Sequence, residues 1–202
     1  MAFFSHLHPK DAAALGIVNR NSQIVIRKSK IVIINPPVYI IGFMGSGKTT
    51  AGKHLAKLLH YDFVDLDKVI ESKENKSIKQ IFTDDGENFF RLLEKKHLEK
   101  TFTYTSTVIS CGGGTSCFFD NMKLMNENGI TVYLQMNVKE LYSRLKNIKQ
   151  ERPLLAGKSD EELLQFIEEK LTEREVYYKK AQQIIRGLNV KADEIARLFK
   201  SV

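Results

Sequence analysis

The stretch Gly42-Phe43-Met44-Gly45-Ser46-Gly47-Lys48-Thr49 has the spacing G-x-x-x-x-G-K-[ST] of a phosphate-binding loop. Glycines at such a turn let the backbone curl so that its N–H groups point inward at an anion. Lys48 is then placed to reach the β- and γ-phosphates of a nucleotide, and the Thr49 hydroxyl to ligate Mg2+. The flanks suit the motif: an apolar run, Val38 to Ile41, enters the loop, and a helical stretch from Thr50 to Leu59 leaves it. The helix N-terminus adds partial positive charge behind the loop. The plain alternative is a glycine-rich strand-to-helix turn, which gives no reason for the Lys-Thr pair.

Five further groups could do chemistry. Asp65 and Asp67 follow a short strand-like run, Phe63-Val64. Two residues apart on a strand, they share a face, and strand C-termini in open α/β sheets line the ligand crevice. The spacing predicts both carboxylates facing the site that Lys48 reaches; a solvated turn, with Asp67 capping a helix from Lys68, explains it equally well. Arg91 and Glu94 lie three apart on a helical stretch from Glu87 to about Phe102 and can pair, with an exposed ion pair as the simpler outcome. The β-branched run Thr107 to Ser110 leads into Cys111-Gly112-Gly113-Gly114. Successive glycines lose backbone entropy with no packing return, which points to a ligand approaching the backbone closely rather than a plain loop. Arg174 and Tyr178 sit one turn apart on a long helix that opens with a capping box at Ser159 and runs to about Ala181. Between helices, a polar Gly- and Pro-punctuated segment, 147–159, carries Arg152 and reads as a lid.

Charge narrows the partners. The chain has 202 residues and a net charge of +7, and only eight of its 31 basic residues are arginine. An arginine inside a motif is therefore the sharper hint, because only Arg offers a planar fork to carboxylate or phosphate. A basic surface suits anionic substrates and nucleotides; no aromatic platform or recognition helix accompanies it, so no nucleic-acid partner is expected. No apolar run approaches the ~18 residues that cross a membrane, and Met1 to Arg20 lacks the apolar core of a secretory signal. Cys111 and Cys117 define neither a disulfide framework nor a metal cluster. A reducing, cytoplasmic setting and a monomer are expected.

The elements that must position these groups alternate. Strand-like runs at Val38–Ile41, Phe63–Val64, Thr107–Ser110, Ile130–Leu134 and Gln183–Ile185 are separated by helical patterns. These include Ser77-Ile78-Lys79-Gln80, a capping box, and helices over Phe118 to Asn128, Val138 to Lys146 and about Ala192 to Lys200. Phe89, Leu92, Leu93 and Leu98 are expected on the buried face of the helix that carries Arg91. The alternation predicts βαβ units and a mainly parallel sheet with helices on both faces, a three-layer α/β/α fold over residues 36–202. Residues 1–35 stand apart. Ile24–Ile26 and Ile31–Ile34 look like short strands, but an extra β-element, a disordered extension and an upstream start all fit that segment.

The ordered series of segments resembles the shikimate kinase family, a nucleoside-monophosphate-kinase-like branch of phosphate-loop proteins. The resemblance is carried by the loop at 42–50, Phe63-Val64-Asp65-Leu66-Asp67, Ser77 to Phe82, and Gly86-Glu87-Asn88-Phe89-Phe90-Arg91-Leu92-Leu93-Glu94. Val108 to Gly114, Arg152-Pro153-Leu154-Leu155 and Arg174-Glu175-Val176-Tyr177-Tyr178 complete it. It implies a P-loop kinase fold with a five-stranded parallel sheet in the order 2-3-1-4-5, a helical substrate-binding region at about 67–95 and a lid at about 147–159. It implies ATP-dependent phosphorylation of the shikimate 3-hydroxyl in aromatic amino-acid biosynthesis, with Mg2+. Residue by residue, it implies that Gly45, Ser46, Gly47, Lys48, Thr49 and Thr50 hold ATP, and that Asp67 contacts the reacting hydroxyl. Asp65 would lie near the water shell of Mg2+ and Thr49 on the metal itself. Arg91 and Arg174 would hold the shikimate carboxylate beside Gly112, Gly113 and Gly114. Arg152 would reach the phosphates and Arg144 the adenine. Cys111 stands where Thr or Ala is common, and Val176 where a proline is common. The rivals are a gluconate kinase of the same branch and a nucleotide-binding scaffold without catalysis. A GTPase is disfavoured by the lack of an Asn-Lys-x-Asp motif.

Overall fold

In the computed structural model, the residues described are 23–27, 30–147, 155, 157–186 and 195. Five short strands form one parallel sheet: β3 (Val38–Ile41), β4 (Asp62–Asp65), β5 (Thr107–Ser110), β6 (Ile130–Gln135) and β7 (Gln183–Arg186). Their order is β4-β5-β3-β6-β7, which counted within this sheet is 2-3-1-4-5. Ahead of it, β1 (Gln23–Arg27) and β2 (Lys30–Ile34) pair antiparallel as a separate two-stranded hairpin, with Gln23 opposite Ile34.

β3 is the central strand, flanked by β5 and β6, with Val38 in register with Val108 on one side and Ile130 on the other. Its four residues are all buried because the sheet is covered on both faces. Tyr39 and Ile41 point into one core and Val38 and Ile40 into the other. The second core is closed by α1 (Lys48–Leu59), through Ala51, Leu55 and Ala56, and by Ile195. The first is larger and takes side chains from α2 (Leu66–Glu74), α3 (Ile78–Asp84), α4 (Gly86–Lys100), α5 (Asn121–Asn128), α6 (Val138–Leu145) and α7 (Asp160–Tyr178). The result is the α/β/α sandwich that the alternation of elements predicts.

Helix ends are set locally. Ser77 accepts from the backbone N–H of Gln80 while the Gln80 side chain accepts from the Ser77 N–H, a closed capping box. Asn137 with Glu140 and Ser159 with Glu162 do the same for α6 and α7. Two sequence expectations need correction. Phe89 and Leu92 are 45% and 59% exposed, while Phe90, Leu93 and Leu98 are buried, so the apolar stripe of α4 is rotated from the expected one. The helix expected from Phe118 starts only at Asn121, because Phe118 is extended and Phe119 adopts a positive φ of 52°.

Among the described residues, no helix is long and apolar enough to cross a membrane. The C-terminal helix expected over 192–200 and most of the segment 147–159 fall outside the described residues. Because α7 carries Arg174, its cap bears on the site as well as on stability. Ser159→Ala is expected to lower the unfolding free energy by about 1 kcal/mol, read as a lower urea midpoint with an unchanged m-value.

Candidate active site

The phosphate loop joins β3 to α1 and is shaped by backbone. Gly45 and Gly47 have φ values of 79° and 90°, where side chains other than glycine are strained. Gly47 is also the N-cap of α1 and supplies no side-chain acceptor, so the first-turn N–H groups of this twelve-residue helix face the loop rather than a cap. Lys48 Nζ donates to the Phe43 carbonyl at 2.9 Å, which bends the side chain back over the loop it belongs to. Arg144, from α6, donates to the Gly45 carbonyl at 3.4 Å and lies close enough to Gly47 that a Cβ there would be 3.0 Å from its Nη1. The cradle therefore has a basic side chain on each flank. This fits an anion of the size of a polyphosphate.

One step along α1, Thr49 donates its hydroxyl to Asp65 Oδ2 at 2.9 Å and lies 3.3 Å from the Ser110 hydroxyl. The other Asp65 oxygen accepts from Lys68 N–H and so caps α2. Sequence reasoning offered Asp67 as that cap; the structure gives the role to Asp65. Asp67 consequently sits in the first turn of α2 and not on the strand, and the two carboxylates converge by a helix start rather than by strand alternation. The oxygen-only set of Thr49, Asp65 and Ser110 fits Mg2+, which takes hard oxygen ligands and retains several waters.

The three glycines after β5 are the centre of the site. A Cβ on Gly112 would be 2.9 Å from Asp67 Oδ1 and 2.9 Å from Glu94 Oε1. One on Gly114 would be 2.7 Å from Arg91 Nη2 and 2.9 Å from Arg91 Cζ. At Gly113 the neighbours are the Met44 backbone nitrogen, 3.2 Å away, and Arg174 Nη1, 3.8 Å away. Three consecutive residues thus border two carboxylates, two guanidinium groups and the phosphate loop, and no side chain fits at the two outer positions. The Gly113 carbonyl accepts from the Tyr178 hydroxyl and, at 3.4 Å, from Arg174 Nη1.

Arg91 and Glu94 do pair, but in the interior. Arg91 is 7% exposed and Glu94 fully buried, and Nη1 donates to Glu94 Oε2 at 2.8 Å. The second Glu94 oxygen accepts from the Thr115 hydroxyl at 2.5 Å. Glu87 Oε1 takes the Nε and Nη2 donors of Arg91 at 3.2 and 2.9 Å, and the Phe118 ring lies 4.1 Å from its Cζ. Arg174, also buried, lies 5.8 Å from the Phe43 ring. Sequence reasoning missed Glu87, Thr115, Phe118 and Ser110. Only Glu87 left a signal, its position one turn before Arg91. Val176, the departure from the proline, is 59% exposed, and Arg174 is nonetheless seated. Cys111 is buried, with its thiol held well above the usual range by desolvation first; Cys117 is half-buried and raised for the same reason. Neither is suited to act as a nucleophile. Arg152 lies outside the described residues.

Asp67 is half-buried, and its carboxyl is pushed from 3.8 to about 6, by desolvation first, then by the charges of Glu94 and Asp65, with Lys48 opposing. A carboxyl raised on folding opposes folding when ionised. The penalty is absent below the ordinary value of 3.8, grows as pH rises through the interval, and is complete above about 6. Asp67→Asn is therefore expected to stabilise the protein at pH 7.5 by on the order of 2 kcal/mol. That gain, read as a higher Tm, should shrink to nothing as pH falls to about 4.

Comparison with known proteins identifies the family. The family profile described as Shikimate kinase matches residues 44–201. A shikimate kinase of Phocaeicola vulgatus is 47% identical over 158 residues, 78% of this chain and 87% of that protein. One of Parabacteroides distasonis is 49% identical over 144 residues, 71% of this chain and 83% of that protein. Among solved structures, the shikimate kinase of Bacteroides thetaiotaomicron superposes with a TM-score of 0.76 at 40% identity, covering 81% of this chain and 96% of that one. The Acinetobacter baumannii enzyme, solved in complex with shikimate, gives 0.71 at 34% identity, covering 81% and 89%. A profile match over most of the chain, relatives near half identity and solved structures superposing with TM-scores above 0.7 converge: this chain belongs to the shikimate kinase family.

Proposed function

We propose that this chain transfers the γ-phosphoryl group of ATP to the 3-hydroxyl of shikimate, giving shikimate 3-phosphate and ADP on the route to chorismate and the aromatic amino acids. The observation that carries the proposal is the loop Gly112-Gly113-Gly114, which meets Asp67, Arg91, Arg174 and the phosphate-loop backbone within three residues. A small ring bearing one carboxylate and several hydroxyls matches that neighbourhood: guanidinium groups for the carboxylate, Asp67 as the acceptor for a hydroxyl. In-line transfer needs positioning and charge neutralisation more than covalent chemistry.

In this reading Gly45, Ser46, Gly47, Lys48, Thr49 and Thr50 hold the phosphates, with Arg144 toward the base and Arg152 brought in by the lid. Thr49, and Asp65 through water, would hold Mg2+, which supplies charge neutralisation on the phosphates when bound. Asp67 accepts the hydrogen bond of the attacking hydroxyl and orients it, and with its carboxyl near 6 it is ionised at neutral pH. Residues 36–202 form the catalytic unit, with 67–95 as the acceptor-binding region, 147–159 as the lid and 1–35 as an extension outside it. A cytoplasmic monomer acting on two small molecules completes the proposal.

The test is coupled ADP release with shikimate and with gluconate as acceptors. Shikimate-dependent turnover is expected, and turnover with gluconate alone would refute the proposal. Asp67→Asn should abolish turnover while ATP binding, followed by calorimetry, stays nearly intact. Arg91→Ala and Arg174→Ala should each weaken shikimate binding by roughly 1.5–3 kcal/mol, about 10- to 150-fold in KM. In wild type, kcat/KM for shikimate should rise with pH through about 6 and level off above it, because only ionised Asp67 accepts the hydroxyl's hydrogen bond.

A further inference from the structure

Arg91 is more fully occupied than a carboxylate-binding arginine needs to be. A guanidinium offers five N–H donors. Here Nη1 serves Glu94 at 2.8 Å, while Nε and Nη2 both serve Glu87 Oε1, at 3.2 and 2.9 Å. Gly114 and the Phe118 ring lie against the same group. The two acidic partners are held very differently. The Glu94 side chain is 1% exposed, and its second oxygen is fixed by Thr115. The Glu87 side chain is 50% exposed, and among the described residues Arg91 is its only hydrogen-bonded partner.

We propose that Glu87 is an internal competitor for the acceptor's carboxylate, holding the outer edge of Arg91 that the substrate must take over. The inference rests on the reading that Arg91 binds the shikimate carboxylate. One guanidinium between two carboxylates is already in anionic excess, so a third carboxylate meets repulsion until one leaves. Glu94 cannot leave without stranding a buried charge. Glu87 can, because half of it is in solvent and it lies in the first turn of α4, where the helix N-terminus favours its charge with or without Arg91. Exchange keeps Arg91 paired throughout and makes acceptor affinity the difference between two carboxylates. A neutral ring has no group able to displace Glu87, so the contact also selects for anionic acceptors.

The experiment measures shikimate Kd by calorimetry on the full chain for wild type, Glu87→Gln and Glu87→Ala, with Tm recorded for each. Both variants are expected to bind shikimate roughly three- to tenfold more tightly, with KM lowered, kcat not raised and ATP affinity unchanged. In an Arg91→Ala background, Glu87→Gln should have no effect on shikimate Kd. A merely supporting role would give the opposite sign, a lower Tm with weaker binding. An unmoved or raised Kd in both variants, or a gain that persists without Arg91, would overturn the proposal. Wild-type turnover is measured alongside: its absence would sink the shikimate reading and this inference with it, whereas turnover with an unmoved Kd would overturn only the competitor.

Discussion

The site depends on one close approach, that of the Gly112–Gly114 backbone to the buried charges around it. Asp67 and Glu94 oxygens occupy the space a Gly112 side chain would enter, and the Arg91 guanidinium occupies that of Gly114. A side chain at either position would push these groups apart, and packed interiors do not absorb such an insertion smoothly. The loop is also fastened from the far side, where Tyr178 donates to the Gly113 carbonyl. Entropy lost by ordering three glycines is thus offset by contacts that only glycines permit.

The buried charges inside this frame are poor candidates for stabilisers. Glu94 is fully enclosed, and its two oxygens are satisfied by Arg91 and Thr115. Such a pair roughly breaks even against apolar side chains of the same volume, while loss of one partner is expensive. Its physical consequence lies elsewhere. Glu94 fixes the guanidinium in place and adds negative potential at Asp67, where it ranks second after desolvation in raising that carboxyl. A raised acid beside a pinned guanidinium costs stability, a trade-off typical of sites built for function.

Much of this was legible in the sequence, and the unevenness has physical causes. The parallel sheet with helices on both faces follows from an alternation of strands and helices that leaves few topologies open, whereas its strand order was implied only by the family resemblance. The phosphate loop is legible because backbone geometry demands glycine at fixed offsets, and the capping boxes at Ser77 and Ser159 because local hydrogen bonds fix residue types at fixed spacing. The Arg91–Glu94 pair was visible as a spacing, but its burial was not. Periodicity in α4 is blurred by Phe89 and Leu92, which are apolar and exposed. Asp67 was placed near the site for the wrong reason, since nothing in Asp-Leu-Asp says where a strand becomes a helix. Thr115 and Phe118 were illegible, because what matters about them is a neighbour more than 20 residues away in the chain.

The two halves of the site meet at the backbone of Gly113. The side of Gly113 on which a side chain would begin faces the Met44 nitrogen and the Gly42 carbonyl, both in the phosphate loop. The same residue's carbonyl is held by Tyr178 and touched by Arg174, both from α7. Gly113 thus lies between the phosphate loop and the helix that carries Arg174, so one peptide borders both halves. Linkage makes any coupling across it reciprocal, so a nucleotide that settles the loop and an acid that settles Arg174 would each favour the other's site. The donor loop alone is common to many phosphate-handling proteins. Here the groups proposed to hold the acceptor surround a glycine strip that lies beside that loop.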